Sequence, residues 1–193
     1  LPAVTPSAVV DALRAAADLP PRCRASFAWG RCVRGTYAPS DQAREITKSR
    51  SFTRPSRVLA RFSLDCSDQN GADANRVLRG FSFRLGSDDQ HSDILTQSAP
   101  VHFAATLEQM LAALGAHDVA AHPQPASLAG TTYWAVHAFP ATNAKGETRF
   151  IKFKVMPVGE QGKPSGRKVT AKPTDLLHSD LDARIAARDV RFS

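Results

Sequence analysis

Arg24 to Tyr37 reads RASFAWGRCVRGTY, and the fold turns on how this stretch is taken. Gly30 and Gly35 stand among small and aromatic residues, with arginines at both ends. The pattern predicts a buried strand entering a tightly packed site. Working outward, Val58 to Leu64, VLARFSL, reads as a strong strand. Val77 to Leu85, VLRGFSFRL, reads as another, and Gly80 inside it marks a bend or a close approach by another backbone or a ligand. Ile94 to Phe103 begins as strand and is interrupted by Pro100.

Further along, Thr131 to Pro140 and Glu147 to Met156 form a predicted β-hairpin around Asn143-Ala144-Lys145-Gly146. In its second arm Arg149, Ile151, Phe153 and Val155 share one face, and Phe150, Lys152, Lys154 and Met156 the other. Helices are predicted over 5–19, 41–49, 106–114 and 175–188. Thr5 caps the first, with Pro6 at its first helical position, Ser40 the second, and Thr106 the third, with Glu108 and Gln109 near the return position of a capping box. The last buries Leu176, Leu177, Leu181, Ile185 and Ala186. Loops are expected over 66–75, 86–91 and 159–172, and a connection over 115–130. Val190 to Ser193 reads as the start of one more strand with unpaired backbone. Antiparallel strands with helices before and after them give an α+β class, and a partly closed β-barrel is the natural way to protect the edges.

The 193 residues suit one domain, and 42% hydrophobic residues place the chain among globular proteins. No apolar run approaches the roughly 20 residues of a membrane span. A net charge of +7 is spread along the chain, so it reads as a solvated basic surface. No nucleic-acid module is present. Cys23, Cys32 and Cys66 are odd in number, which argues against a closed disulfide framework, and no metal-ligand spacing joins them to the histidines. Cys32, Trp29 and Trp134 read as core residues, with the tryptophans also suited to capping a barrel. No hydrolase elbow or phosphate-binding glycine loop occurs.

Several stretches, in order, resemble the catalase superfamily, and more closely its short branch, the catalase-related haem peroxidases. RASFAWGRCVRGTYAPS resembles the segment that carries the distal histidine in an Arg-x-x-His-Ala-x-Gly pattern, with Arg24, Ala28, Gly30 and Gly35 in register. LARFS at 59–63 is similar to the family's Val-Arg-Phe-Ser strand, and ANRVLRGFSFRL to its Asn/Asp-Pro-Arg-Gly-Phe-Ala strand. SDILTQS resembles the segment with the distal amide, and AATLEQMLAAL and YWAVHAFPATNAKGETRFIKFKVMP resemble further parts of the short branch.

The resemblance implies a single catalase-like domain over 1–193, an antiparallel barrel with flanking helices, and haem that reduces hydrogen peroxide or organic hydroperoxides. Arg24 and Arg61 would hold haem propionates, Ser63 would support the distal residue, and Gln97 would contact the peroxide. Phe27 stands where the distal histidine is expected, and phenylalanine transfers no proton. His102, near Gln97, is a candidate relocated base. The proximal ligand is expected to be a tyrosinate near the end of the chain, but Tyr37 and Tyr133 match other segments. Either the natural chain continues beyond Ser193, another chain completes the barrel, or the relative lacks that ligand. The expected partner is a hydroperoxide or an apolar small molecule. The alternative function is a catalytically inactive catalase-fold module that binds an apolar ligand or a protein. The compartment is expected to be cytoplasmic, or exported after removal of a leader.

Overall fold

Strand β1 (Trp29–Tyr37) runs antiparallel to β2 (Ser56–Leu64), from Trp29 opposite Leu64 to Tyr37 opposite Ser56. This is a computed structural model, and it describes residues 4–65, 78–86, 89–102, 104–113, 127–159, 176–188 and 190–193. Next to β2 come β3 (Arg79–Leu85), β4 (Ser92–Gln97), β5 (Tyr133–Trp134) and, last, β8 (Lys154–Val155). All five neighbouring pairs are antiparallel. A second, two-stranded sheet joins β6 (Phe139–Thr142) to β7 (Thr148–Ile151). The antiparallel α+β reading therefore stands. Among the described residues no pairing joins β1 to β8, so the strand order is that of an open sheet.

The opening stretch is not a buried strand. Among the described residues β1 is the sheet's edge, and only Val33 and Tyr37 on it are even half-covered. Its arginines suit that position, because charged side chains on an edge strand discourage further pairing. Arg31 reaches Asp182 of the last helix at 3.3 Å. Trp29 and Cys32, expected in the core, are both exposed for the same reason.

One face of the sheet carries the core. Phe62 and Phe81 lie opposite each other across β2 and β3 and stack at 4.4 Å between centroids. Tyr133 and Phe192 pack on Phe81 at 5.4 and 5.0 Å. Such ring pairs add roughly 0.5–1.5 kcal/mol beyond the area they bury. Helix α5 (Leu176–Ala186) closes this side with Leu177 and Leu181. Leu176 and Ala186, expected on its buried face, are exposed; the buried positions include Asp180 and Arg184 instead. These two pair at 3.0 Å one turn apart, which is how a helix takes charge below its surface.

The chain's last residues are not an unpaired strand end. Met156 N–H donates to the Ser193 carbonyl, and Ser193 N–H returns a bond to Met156, both at 2.8 Å. Phe192 thereby bridges to Pro157 and turns its ring into the core.

Helix α1 (Pro6–Ala16) starts as its sequence requires, with Thr5 Oγ1 accepting from the Ala8 N–H at 3.3 Å. A cap of this kind is worth about 1 kcal/mol. The helix predicted over 41–49 is instead two single turns, α2 (Ala43–Ile46) and α3 (Arg50–Thr53). Ser40 does not cap it. Thr47 is extended, and Lys48 N–H donates to the Thr142 carbonyl at 2.8 Å, so pairing with the hairpin breaks the helix. Helix α4 (Leu107–Ala113) has the reciprocal cap, with Thr106 Oγ1 accepting from Gln109 N–H and Gln109 Oε1 accepting from Ala105 N–H.

The hairpin turn is built by Asn143. Its Oδ1 accepts from the N–H groups of Lys145 and Glu147, and its amide donates to the Glu45 carbonyl and to Glu147. Ile151, Phe153 and Val155 face inward and Phe150, Lys152, Lys154 and Met156 outward, as the alternation requires; Arg149 alone departs, being exposed. The expected loops over 66–75 and 160–172, and residues 115–126 of the long connection, lie outside the described residues. Its described end, 127–130, is wholly buried.

Candidate functional site

On the other face of the sheet, one row of residues runs across five strands. Gly30 stands opposite Ser63, Ser63 opposite Gly80, Gly80 opposite Gln97, and Gln97 opposite Trp134. Residues directly opposite in antiparallel strands point to the same side. Two glycines in the row lower its floor, and a pocket of about 1250 Å³ opens above it. Ser63, Gly80, Gln97 and Trp134 all line that pocket. The volume exceeds the roughly 300–1,000 Å³ of ordinary ligand pockets. Its walls come from the bend between β5 and β6, the β7 side of the hairpin and Val10, Leu13 and Arg14 near the start of the chain, and are mostly apolar.

Phe27 sits on the floor. A Cβ placed on Gly80 would stand 3.0 Å from Phe27 Cδ1 and 2.6 Å from Ser63 Oγ. Gly80 is thus glycine because two side chains occupy the space before it, as the sequence implied. Ser63 is buried, and its hydroxyl donates to the Gly80 carbonyl at 3.4 Å. Phe27 itself has φ of +50°. This left-handed backbone costs an L-residue roughly 1–2 kcal/mol. Phe27 N–H donates to Asp65 Oδ1 at 3.2 Å. Burial pushes the Asp65 carboxyl above its ordinary range, and the Phe27 N–H works against that rise. Asp65 was not anticipated. It stands two residues beyond Ser63, just past the end of β2, and its reach to Phe27 is a contact across 38 residues that spacing does not reveal.

The two arginines take different places. Arg24 lines the pocket. The Arg61 guanidinium lies over Gly30, where an added Cβ would meet it, and Arg61 Nη2 donates to the Ala28 carbonyl at 3.0 Å. Burial lowers its pKa, and the charge of Arg24 lowers it further. Arg24 is therefore near enough for its charge to oppose that of Arg61, whose guanidinium turns toward the backbone of the Phe27 segment.

Gln97 reaches the pocket from the end of β4, and its Nε2 contacts the Val101 carbonyl at 3.5 Å. His102 is exposed, with its Nδ1 2.8 Å from the Ala104 carbonyl, and it is not among the residues lining the pocket. The histidine that does line it is His137, in the bend between β5 and β6. Its position depends on where the hairpin leaves the main sheet, which periodicity does not reveal.

Neither tyrosine lines the pocket. Tyr37 donates to the Phe52 carbonyl at 3.0 Å from the sheet edge. Tyr133 is fully buried on the core face, donates to the Leu128 carbonyl at 2.8 Å, and is driven up in pKa by burial. Among the described residues no group of three or more His, Cys, Asp or Glu side chains is placed to hold a metal ion. No described helix is long and apolar enough to cross a membrane.

The family model for catalase matches residues 20–107. That span contains Arg24, Phe27, Arg61, Ser63, Gln97 and His102. A catalase-related peroxidase of Mycolicibacterium paratuberculosis is 27% identical over 219 aligned positions, which cover 98% of this chain and 69% of the relative. A catalase-related peroxidase of Synechococcus elongatus is 22% identical over 220 positions, covering 98% of this chain and 65% of the relative. These matches extend over nearly the whole chain at low identity, and they show its likeness to the catalase superfamily and, within it, to the catalase-related peroxidases.

Proposed function

We propose that the chain is a divergent peroxidase-type protein of catalase-like fold that acts on an organic hydroperoxide in the pocket above the Ser63–Gly80–Gln97 row. In this reading 1–193 is a single catalase-like domain, and its sheet is the described part of the barrel that the resemblance implies. The observation that carries the reading is the placement of Phe27. Its ring covers the floor of a large apolar pocket at the position where the resemblance expects an imidazole.

Haem is the cofactor implied by the resemblance, and it would supply the redox chemistry that no side chain here can. The pocket's size and apolar walls fit the body of such a group, and Arg24 fits its carboxylates. The axial tyrosinate role is filled by neither Tyr37 nor Tyr133, because both hydroxyls are engaged away from the pocket. Among the chain's own residues Gln97 would donate a hydrogen bond to an oxygen of the hydroperoxide, and Phe27 would exclude water and favour an alkyl substituent over a bare peroxide. Ser63 supports the floor, and Arg61 holds the backbone at Ala28.

The test is spectral. Purified protein titrated with haemin is expected to give a Soret band that shifts when cumene hydroperoxide is added. No band at any ratio of haemin to protein would sink the proposal.

A second reading has its own support, because Phe27 moves no proton and neither tyrosine reaches the pocket. It makes the chain an inactive catalase-fold module that binds an apolar small molecule. It predicts thermal stabilisation by small hydrophobes with no turnover of hydroperoxide. An unchanged melting temperature across a panel of such compounds would count against it.

A further inference from the structure

We propose that Asp65 is a positioning residue that locks Phe27 across the pocket floor, and that this lock makes the pocket selective for apolar ligands. The inference rests on the proposed function only in taking the pocket as a ligand site.

Four observations converge on it. Asp65 follows β2 directly and is held there by its own N–H, which donates to the Leu78 carbonyl at 2.9 Å. Asp65 stands two residues beyond Ser63, which lines the pocket. Its Oδ1 accepts the Phe27 N–H, across 38 residues of chain. Phe27 has the left-handed φ of +50°, which a bulky residue takes only when its surroundings impose it. An extended or right-handed backbone at residue 27 would send the ring in another direction, away from Gly80. The carboxylate therefore selects the backbone state, and the backbone state decides that a ring covers Gly80 and Ser63. With that ring in place an apolar surface lies over Gly80 and beside Ser63 Oγ, among the polar lining side chains of Ser63, Ser82 and Gln97. Without it more of the Ser63 hydroxyl and the Gly80 backbone faces the pocket, and the floor becomes more polar.

Burial raises the pKa of Asp65 in agreement with a carboxyl enclosed beside this ring. Asn in its place keeps an oxygen at the same point, so the lock needs the acceptor and not the charge.

The experiment uses the whole chain and 1-aminoanthracene, an apolar fluorophore, as the probe, with no haemin present. The wild type is expected to bind it, Asp65→Ala to bind about tenfold more weakly, and Asp65→Asn to bind within about twofold of wild type. Phe27→Gly removes both ring and strain, so adding Asp65→Ala to it is expected to change the probe affinity by less than twofold. An equal loss in both backgrounds overturns the proposal, as does unchanged affinity in Asp65→Ala or no probe binding by the wild type. Should Asp65→Ala not fold, the wild type carries the test by NMR. The Gly80 Hα resonances are expected to be shifted upfield by the Phe27 ring, and Asp65→Asn to retain the shift; an unshifted wild type overturns the lock. Failure of haem binding leaves all of these readouts intact, so the two proposals fail separately.

Discussion

The Phe27 ring occupies the space in front of the Gly80 Cα, so a Cβ on residue 80 would stand 3.0 Å from Phe27 Cδ1. The same atom would meet Ser63 Oγ at 2.6 Å. Gly80→Ala is therefore an overpacking change at the centre of the sheet. It is expected to cost about 1–3 kcal/mol. At this chain length that lowers Tm by roughly 3–10 °C in a thermal melt. In a Phe27→Ala background the same substitution should cost less, because one of the two obstacles is gone. An equal cost in both backgrounds would show that the ring does not rest where it is described.

Arg79 ties β3 to the buried segment over 127–131 and to the residue after β4. It is fully buried, and its Nη1 donates to the Ser127 carbonyl at 3.1 Å and to Thr131 Oγ1 at 2.6 Å. Its backbone N–H donates to Ser98 Oγ, and its carbonyl accepts from Ser98 N–H, next to Gln97. Arg79→Met takes one of two donors from the Ser127 carbonyl, which keeps the Thr131 hydroxyl, and removes the donor to Thr131 Oγ1. The expected loss is about 1–3 kcal/mol, read from urea unfolding midpoints at unchanged m-value. A loss under about 1 kcal/mol would show that the segment over 127–131 is held by other contacts.

Asp65 sets a pH dependence whose sign follows from its raised pKa. A carboxyl with a higher pKa in the folded state binds a proton more tightly when folded than when unfolded. Its contribution is most favourable below the unfolded value near 3.8 and is lost as pH rises through the folded value. Asp65→Asn removes that slope. Relative to wild type the variant is expected to be more stable at pH 7 than at pH 4, measured by denaturant unfolding at both. The paired and exposed Asp93 shifts the other way, but solvent screening keeps its effect small. The opposite ordering of Asp65→Asn between the two pH values would show that its folded pKa is not raised.

Phe27→His tests the peroxidase reading from the side of the chemistry. Histidine accepts a left-handed backbone several-fold more readily than phenylalanine, so the substitution suits the φ of +50° at this position. It puts an imidazole over Gly80 and within the same pocket as Gln97. On haemin-loaded protein a positioned acid–base group is expected to raise hydroperoxide turnover by about 10²–10⁴. The gain should follow a pH profile with a limb near the histidine range. Turnover equal to that of wild type would show that the missing proton transfer is not what limits the site.

Much of this architecture was legible in the residues. LARFS and RGFSF alternate with period two, and that alternation alone puts Phe62 and Phe81 on one face and Ser63 on the other. Gly80 announced a close approach, and the approach is there. The hairpin turn was visible at Asn143 to Gly146, and its buried and exposed faces were readable from Ile151 to Met156. The opening stretch was misjudged as buried because its composition is that of an interior strand. Burial depends on whether a strand has neighbours on both sides, and β1 has β2 on one side only among the described residues. The helix predicted over 41–49 failed for a similar reason, since Lys48 pairs with Thr142, nearly a hundred residues away. His102 seemed close to Gln97 in sequence, but the bends after β4 turn it to the backbone of Ala104, while His137 comes to the pocket from another element.

Which residues alternate, where most turns and caps fall, and the lack of an acid–base group at residue 27 follow from the order of residues alone. Those properties are local, because they depend on side-chain chemistry and on spacing of a few residues. What the opening stretch does depends instead on contacts between distant segments. Strand register across five strands aligned Gly30, Ser63, Gly80, Gln97 and Trp134 into one floor. The carboxylate of Asp65, just past the end of β2, then accepts the N–H of Phe27, whose backbone is left-handed. Both are long-range facts, and a φ/ψ choice of about 1–2 kcal/mol at one residue is settled by whichever distant partner the fold brings to it.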